Sequence, residues 1–240
     1  VTPTETRDRS AAPATRESWH RVAEHVLAAG QYAAAGTIRL RALPGGFGTT
    51  AGVDGRQLAV VGDRLVVTGP DGRSGTPLTT LREVAAAAGV RPGLTGSYTP
   101  ATSSDPDAPL PVDLEAAATL AAWYALGDAA LRRLAAALGS PQEPVLWPEH
   151  LDLGITHDAV NYGVSPGDDA VPEPYAYAGP HEGRPAGPDV DRDFWTAPFG
   201  AVRTAAQVPA ADDVLDFFLQ AKARIDEART EAARTDRSRS

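Results

Sequence analysis

Apolar residues recur at helical spacing from Thr15 to Gly30. Trp19, Val22, Ala23, Val26 and Leu27 fall on one side, with Glu17, His20, Arg21, Glu24 and His25 on the other. The pattern predicts a helix that stops at Gly30 and keeps the charged side wet. Period-two alternation follows over Thr37–Ala42, with Ile38 and Leu40 set against Arg39 and Arg41. Pro44-Gly45-Gly46 breaks it. Leu58–Val61 and Leu65–Thr68 are β-rich runs joined by Gly62-Asp63, a hairpin turn in which Gly supplies positive φ at low cost. A further turn stands at Pro70-Asp71-Gly72. Thr80-Leu81-Arg82-Glu83 is a capping box that opens a short helix ending at Gly89.

The stretch 91–111 is rich in Pro, Ser, Thr, Asp and Gly and reads as a surface loop or a linker between halves. Asp113 caps a central helix through Leu138, which Gly127-Asp128 divides in two. Most aromatic residues lie beyond Val145. Strands are expected near 145–156, 159–164 and 174–179, a Gly/Pro/Asp loop over 180–193, and a last helix from Asp212 to Ile225.

The resulting division is a disordered lead-in over 1–13, an N-terminal α+β half over 14–90, the loop, a central helix with a C-terminal α+β half over 112–226, and a charged tail over 227–240. Connections are mostly too short for βαβ crossovers, so the fold class is α+β with mostly antiparallel strands. Each half runs strands and then a helix and contains a Pro/Gly/Phe stretch, Pro44–Gly48 and Pro198–Gly200, an echo that suggests two related halves.

Composition narrows the function classes. Of 240 residues none is Cys, which removes disulfides, thiolate metal sites, iron–sulfur clusters and Cys nucleophiles. A formal net charge of −9 repels phosphate backbones, and the C-terminal arginines alternate with Glu and Asp, so nucleic-acid binding is not expected. The most apolar stretch, 114–138, carries Glu115, Asp128, Arg132 and Arg133 and fails as a membrane span. Val1–Ala14 has no apolar run of the secretory kind, and a cytoplasmic location follows by elimination.

Three stretches carry a resemblance: Leu146-Trp147-Pro148-Glu149-His150-Leu151-Asp152-Leu153-Gly154-Ile155, Asn161-Tyr162-Gly163-Val164-Ser165-Pro166-Gly167-Asp168, and Pro172-Glu173-Pro174-Tyr175-Ala176-Tyr177. With Phe194-Trp195 and Phe199-Gly200 downstream, the segment 145–200 resembles an uncharacterised family of actinobacterial proteins of unknown function. An aromatic residue is common in that family where this chain has Leu151, and a Trp where it has His181. The resemblance implies a fold and no reaction.

The leading chemical candidate is His150-Leu151-Asp152. On a strand, His150 and Asp152 share one face while Leu151, Leu153 and Ile155 pack on the other. Such a pair serves as two ligands of a divalent metal, as a general base with its orienting acid, or simply as the wet side of a half-exposed sheet. One pair with no second spaced His does not favour a metal cofactor. Asn161, Asp168, Glu173, Tyr175 and Tyr177 lie on the following turns and strands and would complete a ligand-binding polar face with the catalytic candidates His150 and Asp152. Ser165-Pro166-Gly167-Asp168 has the form of a type II turn, not of a nucleophile elbow. His20 with Glu24, and Arg21 with His25, read as solvated i,i+4 pairs.

Two readings stay open. One is a small-molecule-binding protein, in one form a metal-assisted enzyme, with its polar site on residues 150–175. The other is a non-catalytic protein-interaction module presenting an aromatic or β-edge surface. Whether the chain is an enzyme, its partners beyond a small ligand and its oligomeric state are not legible at this level.

Overall fold

The structure is a computed structural model and describes residues 11–185 and 191–237. The expected lead-in up to residue 10 and the last three residues of the tail lie outside the described residues. Ten strands and five α-helices are present among these residues, and the strands paired within each unit run antiparallel, so the protein is α+β. None of the described helices is long and apolar enough to cross a membrane. The chain divides into two units, Val1–Ala122 with Leu146–Leu151, and Trp123–Val145 with Asp152–Ser240.

In the first unit, helix α1 (Ala11–Val22) passes through a π-helical stretch (Ala23–Ala28) into α2 (Ala29–Ala35). The helical run therefore starts earlier and ends later than the pattern predicts. Gly30 does not stop it; the left-handed Gly36 (φ 68°) does. Strands β1 (Leu40–Leu43), β2 (Gly46–Thr49), β3 (Gln57–Val61), β4 (Arg64–Gly69) and β5 (Gly72–Pro77) form a meander, and β6 (Val145–Trp147) joins β1 through Leu40 and Leu146. Leu40, Phe47, Leu58, Val60 and Leu65 are buried, and Phe47 meets Trp19 edge to face at 5.5 Å. Gln31 fastens the helix end to the meander. Its amide donates to the carbonyls of Thr37 and Arg39 and accepts from the backbone of Thr50 and Ala51.

Helix α3 (Leu81–Ala88) opens as expected, with the Thr80 hydroxyl accepting from Glu83 N. The second half of the capping box differs: the Glu83 carboxylate takes the hydroxyl of Thr79.

Helix α4 (Leu114–Ala137) is capped by Asp113, whose carboxylate accepts Ala116 N at 2.8 Å. It is continuous through Gly127, contrary to the expected break. That glycine gives close approach: a Cβ there would stand 2.3 Å from Val164 Cγ2. In the second unit β7 (Asp152–His157), β8 (Val160–Ser165), β9 (Tyr175–Pro180) and β10 (Ala201–Thr204) follow one another across a sheet. Leu153, Ile155, Tyr162, Val164, Ala176 and Ala178 share its core face. Helix α5 (Ala211–Arg237) supplies Phe217, Phe218, Ala221 and Ile225 to the core, with Phe218 against Tyr162 at 5.8 Å. It runs on well beyond Ile225.

The expected single strand over 145–156 is two strands with a turn between them. Leu151 takes a left-handed conformation (φ 54°), which a branched side chain adopts only when its surroundings hold it. Here burial of the Leu151 side chain holds it.

Candidate functional site

The charged side of the first helix is largely covered, although Glu17 is exposed as expected. Thr15, Ser18, Arg21, Glu24 and His25 are all buried, because the stretch 91–113 runs along them. A chain segment without strand partners must find hydrogen bonds for its backbone elsewhere when it is covered. Here the helix provides them in antiparallel order. Thr15 Oγ1 accepts Asp113 N, and Ser18 donates to Pro111 O. Arg21 donates to the carbonyls of Ser103, Asp105 and Pro109. The Glu24 carboxylate accepts Ala101 N and Thr102 N, both at 2.9 Å, and the Thr102 hydroxyl at 2.6 Å. The His25 carbonyl accepts Gly93 N. Glu24 and His25 belong to the π-helical stretch, a geometry frequent at functional sites.

Around Glu24, which is 0% exposed, stand polar groups that the loop does not use. His20 is one turn before it on the helix, with Nε2 3.9 Å from Glu24 Oε2 and the side chain 15% exposed. The His20 ring is also bonded to the backbone of Pro148, and His150 acts on it electrostatically. Tyr98 comes from the loop; its hydroxyl is directed at the Glu24 carboxylate, at a geometry short of a full hydrogen bond, and Glu149 also acts on it. His20 Nε2, Tyr98 Oη and Glu149 Oε2 are buried atoms that complete no hydrogen bond. His150 itself is exposed.

The electrostatics follow from burial and the carboxylates. Desolvation lowers the His20 pKa from its ordinary value; Glu24 and Glu17 oppose that, and His150 adds to it. Burial raises the Tyr98 pKa well above the usual range, with Glu24 and then Glu149 acting in the same direction. At neutral pH the imidazole is uncharged and the phenol keeps its proton. Pro148 has no N–H, so its backbone can only accept, and the His20 ring must donate to it. The unpartnered Nε2 is then the basic nitrogen of the neutral ring.

The residues singled out along 150–175 go to different places. His150 belongs to the first unit, on a turn; Asp152 belongs to the second, at the start of β7. They do not alternate on one strand, because Leu151 turns the chain between them. Asp152 is buried and accepts the hydroxyl of Tyr177. Tyr177 lies over Gly163, its register partner, where a Cβ would come within 2.5 Å of the phenol oxygen. Tyr175 donates to Asp168 at 2.6 Å, and Asp168 also caps its own turn by accepting from Ala170 N and Val171 N. Ser165 Oγ accepts Gly167 N, with Gly167 at φ 99°, the turn chemistry expected there. Asn161 is exposed and accepts the Thr156 hydroxyl at 2.7 Å; Glu173 is exposed. The second-unit residues thus form a local network around Asp152, Tyr177, Tyr175 and Asp168.

Burial leaves the phenols of Tyr175 and Tyr177 with raised pKa values, and their carboxylate partners add to the shift. Among the described residues no three His, Asp or Glu side chains gather in a way that would hold a metal ion.

His20 and Glu24 are visible in the sequence as an i,i+4 pair, and His150 as a polar residue in a run of unusual composition. No local pattern links the helix pair to Tyr98 or Glu149, or His150 to Tyr98. Folding of the 91–113 loop brings Tyr98 to Glu24. No protein-family model, curated protein or solved structure matches the chain.

Proposed function

We propose that the protein binds a small polar molecule at the His20–Tyr98–Glu149 cluster of its first unit, with His150 at the exposed margin. One observation carries this reading. His20 Nε2 on the helix and Glu149 Oε2 on the turn are buried atoms without a hydrogen-bond partner, and the charge of Glu149 acts on Tyr98 of the loop. Buried polar groups are paired in folded proteins as a rule, since leaving one unpaired costs about 1–3 kcal/mol. Several in one place call for a molecule that supplies the missing bonds.

The test is thermal unfolding of wild type, Tyr98→Phe and His150→Ala across a panel of small cationic, neutral and anionic metabolite-like compounds. A ligand at about 100 times its Kd adds roughly 2.7 kcal/mol, which raises Tm by about 5–11 °C in a chain of this size. A compound that stabilises the wild type should lose most of that effect in Tyr98→Phe and part of it in His150→Ala. Equal stabilisation of all three proteins would place binding elsewhere and sink the reading.

A further inference from the structure

The second unit holds a cation that its surroundings pin down but do not neutralise. Arg203 on β10 lies over two rings, its guanidinium carbon 4.9 Å from the centroid of Phe194 and 5.4 Å from that of Phe217. Its Nη1 donates to the carbonyl of Val202 at 2.8 Å and reaches that of Phe194 at 3.4 Å. Nη1 is the nitrogen on the Cδ side of the guanidinium, so the edge formed by Nε–H and Nη2–H is left over. That edge takes both oxygens of a carboxylate in two parallel bonds. Neither atom bonds to a described residue, and neither is sealed from solvent among them. The carboxylate that acts on Arg203 is Asp191, and its oxygens are already used. Oδ2 accepts Arg224 at 2.8 Å, and Oδ1 accepts Phe194 N and Asp193 N. Arg224 itself stands 4.3 Å from the centroid of the same Phe194 ring. Two guanidinium groups thus share one ring and one carboxylate, and a single positive charge is left over. Burial lowers the Arg203 pKa; Asp191 opposes that, and Arg224 adds to it.

We infer that the Nε–Nη2 edge of Arg203 binds the carboxylate of a small acid. The rings and the two carbonyls hold the guanidinium in place, so little side-chain freedom is lost when a ligand arrives. The two free N–H bonds are parallel and coplanar, as the two oxygens of a carboxylate require. The single leftover charge matches a monoanion, and a phosphate would bring more negative charge than the site leaves open. Chloride would offer one atom to two donors. A neutral amide would bring one acceptor and no charge. An arginine that served packing alone would use the rings and the carbonyls and show no preference among these solutes. Nothing in this inference depends on the cluster of the first unit.

The experiment follows the Arg203 Nε–H resonance of the full chain by two-dimensional nitrogen–proton NMR, at neutral pH and constant ionic strength. The probes are acetate, acetamide, inorganic phosphate and chloride, and the resonance is assigned through its own side chain to the backbone. Acetate should shift it saturably, and acetamide and chloride should leave it in place. Arg203→Lys keeps the charge and loses the fork. It should weaken acetate binding about 10-fold or more, read at the backbone amide of Thr204, the ratio that loss of a hydrogen bond to a charged group implies. If that variant misfolds, the wild-type titration decides by itself. Equal, unsaturating shifts with acetate and chloride would report the ionic atmosphere alone and overturn the inference. Phosphate saturating at lower concentration than acetate would overturn the carboxylate assignment and leave an oxyanion site. Undiminished acetate binding by Arg203→Lys would overturn the part given to the fork. No shift with any probe would remove the site.

Discussion

The order of elements repeats along the chain. A helical run, strands β1–β5 and helix α3 are followed by helix α4, strands β6–β10 and helix α5. In each series the opening helix carries a Trp whose indole N–H ends on a carbonyl at the close of the third strand. Trp19 donates to Gly62 O at 3.0 Å and Trp123 to Ser165 O at 2.9 Å. The two series part company in how they treat buried polar groups. In the second, Tyr175 and Tyr177 sit on β9 as register neighbours of Ser165 and Gly163, and they reach Asp168 and Asp152. Strand pairing itself delivers the partners. In the first, the polar groups come from a π-helical turn, a long loop and a short turn. Their pairing is complete for the loop backbone and incomplete for His20, Tyr98 and Glu149. A buried polar cluster supports structure when its members use one another up, and it points to a ligand when some bonding capacity is left over.

The largest effect expected from this contrast lies at Glu24, the one member of the first cluster that is fully engaged. Glu24→Ala strands Ala101 N, Thr102 N and the Thr102 hydroxyl. It should cost about 3 kcal/mol or more, on the basis of about 1–3 kcal/mol for each buried group left unpaired. Urea unfolding measures the loss, and limited proteolysis should show new cleavage within 91–111. A loss below about 1 kcal/mol would mean that the loop holds without its carboxylate anchor.

A matched pair of smaller changes sharpens the comparison. Tyr177→Phe removes the hydroxyl from Asp152 and should destabilise by about 1–2 kcal/mol, because a buried carboxylate loses a donor. Tyr98→Phe removes a hydroxyl whose carboxylate neighbour Glu24 already accepts Ala101 N, Thr102 N and the Thr102 hydroxyl, and should cost at most about 0.5 kcal/mol in the absence of ligand. Equal costs in urea unfolding would erase the distinction between a closed and an open network.

Much of the architecture could be read from the chain, and the omissions share a cause. The Gly62-Asp63 hairpin, the Thr80 cap and the antiparallel character follow from local chemistry. Strand β5, Gly72-Arg73-Ser74-Gly75-Thr76-Pro77, contains Thr76 as its single strand former; it is extended because β4 offers it a full ladder. Strands β2 and β10 are four residues long and hold one or two large apolar groups each, too few for periodicity to register. At the site, His20, Glu24 and His150 were visible as polar residues, but the wet-side reading of the helix failed. Polarity at positions 18, 21, 24 and 25 signals water or a covering backbone equally well, and only the path of residues 91–113 decides between them. The strand reading of His150 and Asp152 failed at Leu151, whose left-handed backbone no propensity would assign to it.

The smallest expected effect is a pH dependence, and it separates the two networks by sign. His20 is faced by Glu24 and Glu17 from its own helix and by the Pro148 backbone and His150 from the turn; the net outcome is a pKa below the ordinary 6.5. A lowered folded pKa means that the unfolded chain takes up the proton first. Stability from this group is therefore intact above about pH 6.5, declines as pH falls below it, and levels off once the folded imidazole also protonates. His20→Gln should remove that decline when unfolding free energy is followed across the window. Protonation also converts Nε2 from acceptor to donor. The raised phenols of Tyr175 and Tyr177 act at the other end of the scale. With folded pKa values above their unfolded ones, their contribution is present below the unfolded tyrosine range and is lost as pH rises through it. The unfolded chain loses those protons first, so the second unit loses stability in alkali, not in acid. A His20→Gln protein that keeps the full acid-side decline would show that the decline belongs to groups outside the first-unit cluster.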